Sequence, residues 1–213
     1  MNNEKHRIDV ATLLRELGHE FVARELSDDV LDALDFGVRE LLGTVRDNPR
    51  RERSVPLDAL TDFKLSVPAE GQVATHHLFA DSVVSGGANP MGLGANLWRE
   101  GDTAVMEVTL GKAFEGAPGR SHGGIVAALI DETMGLVMGI HDAIGFTAQL
   151  DITYLAPVPI DQPITARAHL DHREGRKMTS RATVSADDVV LAEASALFIT
   201  VDPQTFLAQL LQT

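Results

Sequence analysis

A chain of 213 residues has room for one well-buried core and a smaller appendage, and 44% hydrophobic with 23% charged residues is the composition of an ordinary globular protein. A formal net charge of −13 and a pI of about 4.9 set electrostatics against nucleic acid and against an anionic membrane as partners. The absence of cysteine excludes disulfides, thiolate zinc sites and a cysteine nucleophile; with a start, Met1 to Arg7, that lacks the profile of a secretory signal, the expected setting is reducing and cytoplasmic.

From Val10 to Val45 apolar residues recur at helical spacing: Leu13, Leu14, Leu17 and Phe21, then Val30, Leu31, Leu34, Val38, Leu41 and Leu42. Ser27 and Asp28 stand between the two runs as a cap, which predicts a helical hairpin with a packing role. Arg46 to Ser54 is charged, contains Pro49 and has no periodicity, so it is expected to be a linker. Residues 1–70 are assigned to this helical extension and linker, and residues 71–213 to the main folded domain.

Beyond Val73 the texture turns to alternation, clearest in Val105 to Leu110 and Ile164 to Leu170. The apolar run Gly123 to Ile140 is interrupted near its centre by Asp131 and Glu132, which makes it a core helix rather than a membrane span. Four strands are predicted after it: Thr147 to Tyr154, Ile164 to His172, Lys177 to Ser185 and Val189 to Thr200. Gly175 and Ala186-Asp187-Asp188 mark tight reversals, so the last three form an antiparallel meander. A short helix is expected from Pro203 onwards. The class is α+β, an antiparallel sheet wrapped around one long central helix to bury it on most sides.

Chemistry concentrates at Ser121-His122-Gly123-Gly124. A helix opening on two glycines presents bare N–H groups at its positive end, able to hold developing negative charge. Asp131, on the same oily helix, costs desolvation free energy and needs a partner or a task. Eight helical steps separate Gly123 from Asp131, about 12 Å at 1.5 Å per residue. One bound carbonyl cannot touch both, so a carboxylate acting at the helix start has to come from a second copy, and a two-fold dimer or dimer of dimers is expected. Plainer readings stand beside this one: glycines for close packing, His122 as a neighbour of the N-cap, Asp131 turned to solvent beside Glu132, and Gly135 with Gly139 as a smooth face against the sheet.

His122-Gly123-Gly124 with Asp131 nine positions after the histidine resembles hotdog-fold acyl-CoA thioesterases of the phenylacetate-pathway (PaaI) type. Thr147-Ala148-Gln149-Leu150-Asp151-Ile152-Thr153-Tyr154, Glu174-Gly175-Arg176-Lys177 and Ser195-Ala196-Leu197-Phe198-Ile199 extend the resemblance, which runs from about Asn89 to Asp202. The resemblance implies hydrolysis of an acyl-CoA thioester at a site shared across a dimer. The Gly123 N–H, helped from around His122, would be the oxyanion hole; Asp131 of the partner copy would be nucleophile or general base; Thr147 would orient water. Gly124 would contact substrate, and Asn89 would line the thioester pocket, although a turn role suits it better.

Coenzyme A needs positive partners for its phosphates. In residues 71–213 the eight basic side chains are Arg99, Lys112, Arg120, Arg167, Arg173, Arg176, Lys177 and Arg181. Arg173, Arg176 and Lys177 are the favoured candidates, with Arg120 beside the helix start; a soluble hairpin tip is the plain alternative. Coenzyme A enters only as part of the substrate, and no other cofactor is expected. No metal is expected either, since His76-His77 lack a partner at ligand spacing. Ser121 and Ser195 lack a nucleophile-elbow context. The rival from another class is an acyl-CoA-binding sensor that releases its ligand intact; a hydratase is least favoured.

Overall fold

The structure, a computed structural model, describes residues 2–51, 67–74 and 79–202. Its helices are α1 (Asn2–Ala23), α2 (Asp28–Arg46) and α3 (Gly123–Ile140). The strands are β1 (Asn96–Glu100), β2 (Thr103–Thr109), β3 (Glu115–Ala117), β4 (Arg120–Ser121), β5 (Gly145–Tyr154), β6 (Pro163–Glu174), β7 (Lys177–Ala186) and β8 (Val189–Thr200). A 3-10 turn, Lys112–Phe114, leads into β3.

Six strands form one antiparallel sheet in the order β1-β2-β6-β7-β8-β5, and β3 pairs with β4 in a separate two-stranded ribbon. Alternate residues of β6 (Ile164, Ala166, Ala168) and of β7 (Met178, Ser180, Ala182, Val184) are buried, the period-two signature of a sheet with one covered face. Leu129, Ile130, Met134 and Leu136 of α3 fill that face beside Met106, Ile164 and Met178, all with no exposed surface. Each such side chain contributes roughly 1.5–3 kcal/mol.

The reversals behave as their residues require. Glu174 faces Lys177 across a two-residue loop that opens on Gly175 at φ +56°. Ala186 faces Val189, and both intervening residues, Asp187 (φ 46°) and Asp188 (φ 64°), have positive φ, the demand of a type I′ hairpin turn. Aspartate tolerates that region better than most side chains.

Three sequence expectations are corrected. First, β1 and the β3–β4 ribbon were not anticipated, because Asn96–Glu100 has little alternation and the ribbon strands are too short to carry any. Second, α1 and α2 form where expected, with Ser27 at the N-cap of α2, but they do not bury their apolar stripes. Leu13, Leu14, Leu17 and Phe21 are exposed, and α2 has no buried residue. The face of α1 that packs is Ile8, Ala11, Arg15 and His19, and Arg15 donates to the carbonyls of Gly87 (3.0 Å) and Asn89 (2.6 Å). Satisfying loop carbonyls took precedence over covering leucines within the chain. Third, Gly135 does not lie against the sheet, since a Cβ there would meet nothing within 4 Å. His76-His77, the end of the expected linker at Ser54 and the helix expected from Pro203 lie outside the described residues.

The β7–β8 turn supplies a stability test. Asp188→Val places a β-branched residue at φ 64° and is expected to cost about 1–2 kcal/mol, whereas Asp188→Gly is expected to cost nothing or to stabilise slightly. Urea unfolding of the two variants reads the difference.

Candidate active site

The start of α3 is held from both sides. The Ser121 N–H donates to the Val158 carbonyl (2.8 Å), and the His122 N–H donates to the Phe114 carbonyl (2.8 Å). Gly116 makes that approach possible, because a Cβ there would lie 2.7 Å from His122 Cα. Within the ribbon Glu115 accepts the Gly119 N–H (2.5 Å) and pairs with Lys112 (3.3 Å), which hold its carboxyl below the usual range, the backbone bond most strongly.

His122 is the N-cap itself, extended at φ −67° and ψ 132°. Its Nδ1 accepts the Gly124 N–H (3.0 Å), so the neutral ring carries its proton on Nε2. The His122 carbonyl accepts from Ile125 (2.9 Å). In the opening turn Gly123 is left as the N–H with no acceptor among the described residues. An open cleft of about 410 Å³ adjoins it, lined in part by Arg120, Ser121, Val126, Tyr154 and Leu155. The hydroxyl of Tyr154 donates to the Gly123 carbonyl at 2.6 Å, pinning the peptide group that joins the two glycines, and burial raises that phenol above its usual range.

At the other end of the motif Asp131 is half-buried, and its Oδ1 accepts from the Thr147 hydroxyl at 2.8 Å. β5 runs back along α3, so Thr147 stands against Asp131 and Tyr154 against Gly123. Glu132 has a different role: it accepts from the Ser85 N–H (3.0 Å), the Ser82 hydroxyl (3.1 Å) and the Ser85 hydroxyl. Along α3 Gly124 is exposed and Ala127, Asp131 and Gly135 are half-buried, which leaves a partly exposed strip of small residues beside the carboxylate.

Asn89 serves its turn. Its Oδ1 accepts the Met91 N–H (2.9 Å) and its amide donates to the Asp81 carbonyl (3.2 Å), which occupies both polar ends. Of the eight basic side chains, Arg99, Lys112, Arg167 and Arg181 are paired with Glu70, Glu115, Glu100 and Asp171. Arg120, Arg173 and Lys177 make no ion pair among the described residues, and Arg176 donates to the Thr200 carbonyl (2.9 Å). The basic candidates are not brought together within one chain. Lys177 pairs with Ile199, and Ile199 with Phe146, which sets the β6–β7 tip at the Thr147 end of the sheet, while Arg120 lies at the Gly123 end.

Sequence reasoning passed over Tyr154 and the anchoring of Glu132. The first had a signal, being the chain's single tyrosine and the last residue of the predicted strand Thr147 to Tyr154. The second had none, because the serines it binds lie 47 and 50 positions away.

Residues 119–193 match the family model described as the Thioesterase superfamily. A crystal structure described as a thioesterase superfamily protein aligns with a TM-score of 0.74 at 22% identity, over 91% of this chain and 94% of that one. The fold is a hotdog fold. The likeness reaches beyond the stretch from Asn89 to Asp202, into the N-terminal helices. Among curated sequences, the acyl-coenzyme A thioesterase THEM4 of Mus musculus is 38% identical over 96 residues, 44% of this chain and 41% of its own length. The acyl-coenzyme A thioesterase THEM5 of Homo sapiens is 31% identical over 91 residues, 42% of this chain and 37% of its own length. This hotdog chain thus spans about two fifths of the length of the curated relatives it matches. The resemblance read from the His122-Gly123-Gly124 motif is borne out in the fold and in the likeness to acyl-CoA thioesterases.

The two neighbouring carboxylates are separable by stability. Glu132→Ala leaves the Ser85 N–H and two hydroxyls without their acceptor and is expected to cost about 1–3 kcal/mol. Asp131→Asn keeps an acceptor for Thr147 and is expected to change stability by less than about 0.5 kcal/mol, measured by denaturant unfolding.

Proposed function

We propose that this hotdog chain hydrolyses acyl-CoA thioesters, with each active site assembled from two copies related by a two-fold axis. The observation that carries the reading is one helix with a free donor at its start, a threonine-held carboxylate two turns on, and a partly exposed strip of small residues along the same helix. Two such helices laid antiparallel along that strip would set Gly123 of one copy against Asp131 of the other. The same operation would bring Arg120 of one copy toward the Arg173, Arg176 and Lys177 tip of the other, where the phosphates of coenzyme A call for positive charge. Its likeness to acyl-CoA thioesterases of the THEM type supports the choice of substrate.

In the proposed reaction the thioester oxygen takes the Gly123 N–H. Its carbonyl carbon receives water, and Asp131 of the other copy accepts the proton that water loses. The hydrogen bond from Thr147 holds Oδ1 and leaves Oδ2 as the proton acceptor. Collapse of the oxyanion breaks the C–S bond, and the departing thiolate takes up the proton that Asp131 holds, which returns the carboxylate and gives free acid and coenzyme A. A donor preset for the oxyanion contributes about 3–4 kcal/mol to such a step.

Exposed apolar surface supports the two-copy reading. β5 is an edge strand with Phe146 53% exposed, Leu155 follows it at 54%, and the leucines of α1 also face outwards. A second copy would remove these surfaces from water, which monomers seldom leave so apolar.

A complementation experiment tests both halves. Proline suits the first position of a helix, and His122 already has the extended backbone that a following proline requires, so Gly123→Pro removes one N–H and keeps the helix, with the Tyr154 side chain shifting by a few tenths of an ångström where the new Cβ comes within 3.3 Å of its hydroxyl. With a panel of acyl-CoAs and a thiol reagent, Asp131→Asn and Gly123→Pro are each expected to lose about 10²–10³-fold in kcat. Co-refolding the two variants is expected to restore activity, because a mixed dimer contains one intact site. A mixture no more active than its components would sink the shared site, and tight acyl-CoA binding without thiol release by wild type would sink hydrolysis.

A further inference from the structure

We infer that His19, on the N-terminal helix, is a positioning residue for the oxyanion donor at the start of α3. This rests on the thioesterase reading for its catalytic consequence and on geometry for its physical content. His19 Nδ1 accepts the Ala113 N–H at 3.1 Å, and its ring meets Phe114 edge-on with centroids 5.0 Å apart. The Phe114 carbonyl in turn accepts the His122 N–H at 2.8 Å, and His122 is the N-cap whose ring and carbonyl set the first turn of α3. Two hydrogen bonds and one 3-10 turn therefore connect α1 to the peptide that bears the free Gly123 N–H.

The contact is built closely. A Cβ on Gly111 would fall 2.7 Å from His19 Nδ1 and 2.8 Å from its Cγ, so the imidazole lies against bare backbone at the foot of the turn. Arg15, one helical turn earlier, fastens the same face of α1 to the carbonyls of Gly87 and Asn89. α1 is thus attached by directional polar bonds, which fix an angle, rather than by its leucines, which face away. An attachment of that kind suits positioning better than bulk stability does.

Accepting from Ala113 requires Nδ1 to be unprotonated. The charged groups around the ring are Arg15, Glu16 and Glu20 on α1, Lys112 on the 3-10 turn, and Asp161 on the segment between β5 and β6. Burial, the largest influence, holds the imidazole below its usual 6.5; Asp161 opposes it and Arg15 reinforces it. A base held below its unfolded pKa stabilises the fold fully above that value and loses the contribution as pH falls through the folded one. Protonation would also turn the acceptor into a donor facing the Ala113 N–H. The coupling is therefore intact near neutrality and released on acidification below pH 6.5.

Three variants of the full chain test the inference: His19→Ala, which removes the acceptor; His19→Asn, whose Oδ1 sits about where Nδ1 does; and Gly111→Ala, which displaces the ring from the opposite side. Amide hydrogen exchange at Ala113 and His122 and the acyl-CoA hydrolysis constants are measured for each. His19→Ala and Gly111→Ala are expected to raise exchange at both amides by about five-fold or more and to lower kcat about ten-fold with KM within two-fold. His19→Asn is expected to restore both and to abolish the wild-type loss of His122 protection below pH 6.5. Unchanged exchange at His122 in His19→Ala, or His19→Asn failing along with alanine, overturns the inference. If wild type releases no thiol, the thioesterase reading falls while the exchange measurements still decide the positioning role.

Discussion

A helix of eighteen residues is a rigid rod, and the arrangement of the candidate site follows from that rigidity. Buried on its sheet-facing side by Leu129, Ile130, Met134 and Leu136, α3 cannot bend its start onto its third turn. The donor at Gly123 and the carboxylate at Asp131 consequently stay about 12 Å apart in any single copy. Packing keeps both groups in place and at the same time prevents one copy from using them together.

Gly123 at the start of the rod and Asp131 midway along it each take a further support from β5. Thr147 near the start of that strand orients Asp131, and Tyr154 at its end pins the carbonyl of Gly123. The strand is bound to β8 along one side only, so the residues that hold Asp131 and Gly123 occupy an edge of the sheet. Glu132, one position after Asp131, faces inward to Ser82 and Ser85 and ties α3 to the loop before β1. Adjacent carboxylates on one helix thus divide by direction into an anchor and a carboxylate held by Thr147, since neighbouring helical positions point about 100° apart.

The N-terminal helices show how polar attachment can override apolar patterning. Helical periodicity located α1 and α2, because it reports where a helix has an oily stripe. It did not identify the stripe's partner. α1 docks through Arg15 and His19 onto loop carbonyls and a turn amide, and its leucines are left to meet something other than this chain's own core. Asn89 teaches the same lesson at a smaller scale: next to a proline and among glycines, its amide was better used by the turn than by a pocket.

Local sequence determined the elements and their turns. Period-two alternation placed β5 to β8, Gly175 and Asp187-Asp188 placed the reversals, and the long apolar run around Asp131-Glu132 placed α3, because each of these depends on residues within a few positions of one another. A motif resemblance named Asp131 and Thr147 together but gave Thr147 to the attacking water; the bond from its hydroxyl to Asp131 was seen only in the structure. Tertiary structure decided what depends on residues brought together from afar: Tyr154 onto Gly123, Glu132 onto Ser85, His19 onto Ala113. It also decided which basic side chains are already paired and which make no ion pair among the described residues. No periodicity encodes such contacts, since their geometry exists only once the sheet has closed around its helix and fixed which distant atoms come within 3 Å.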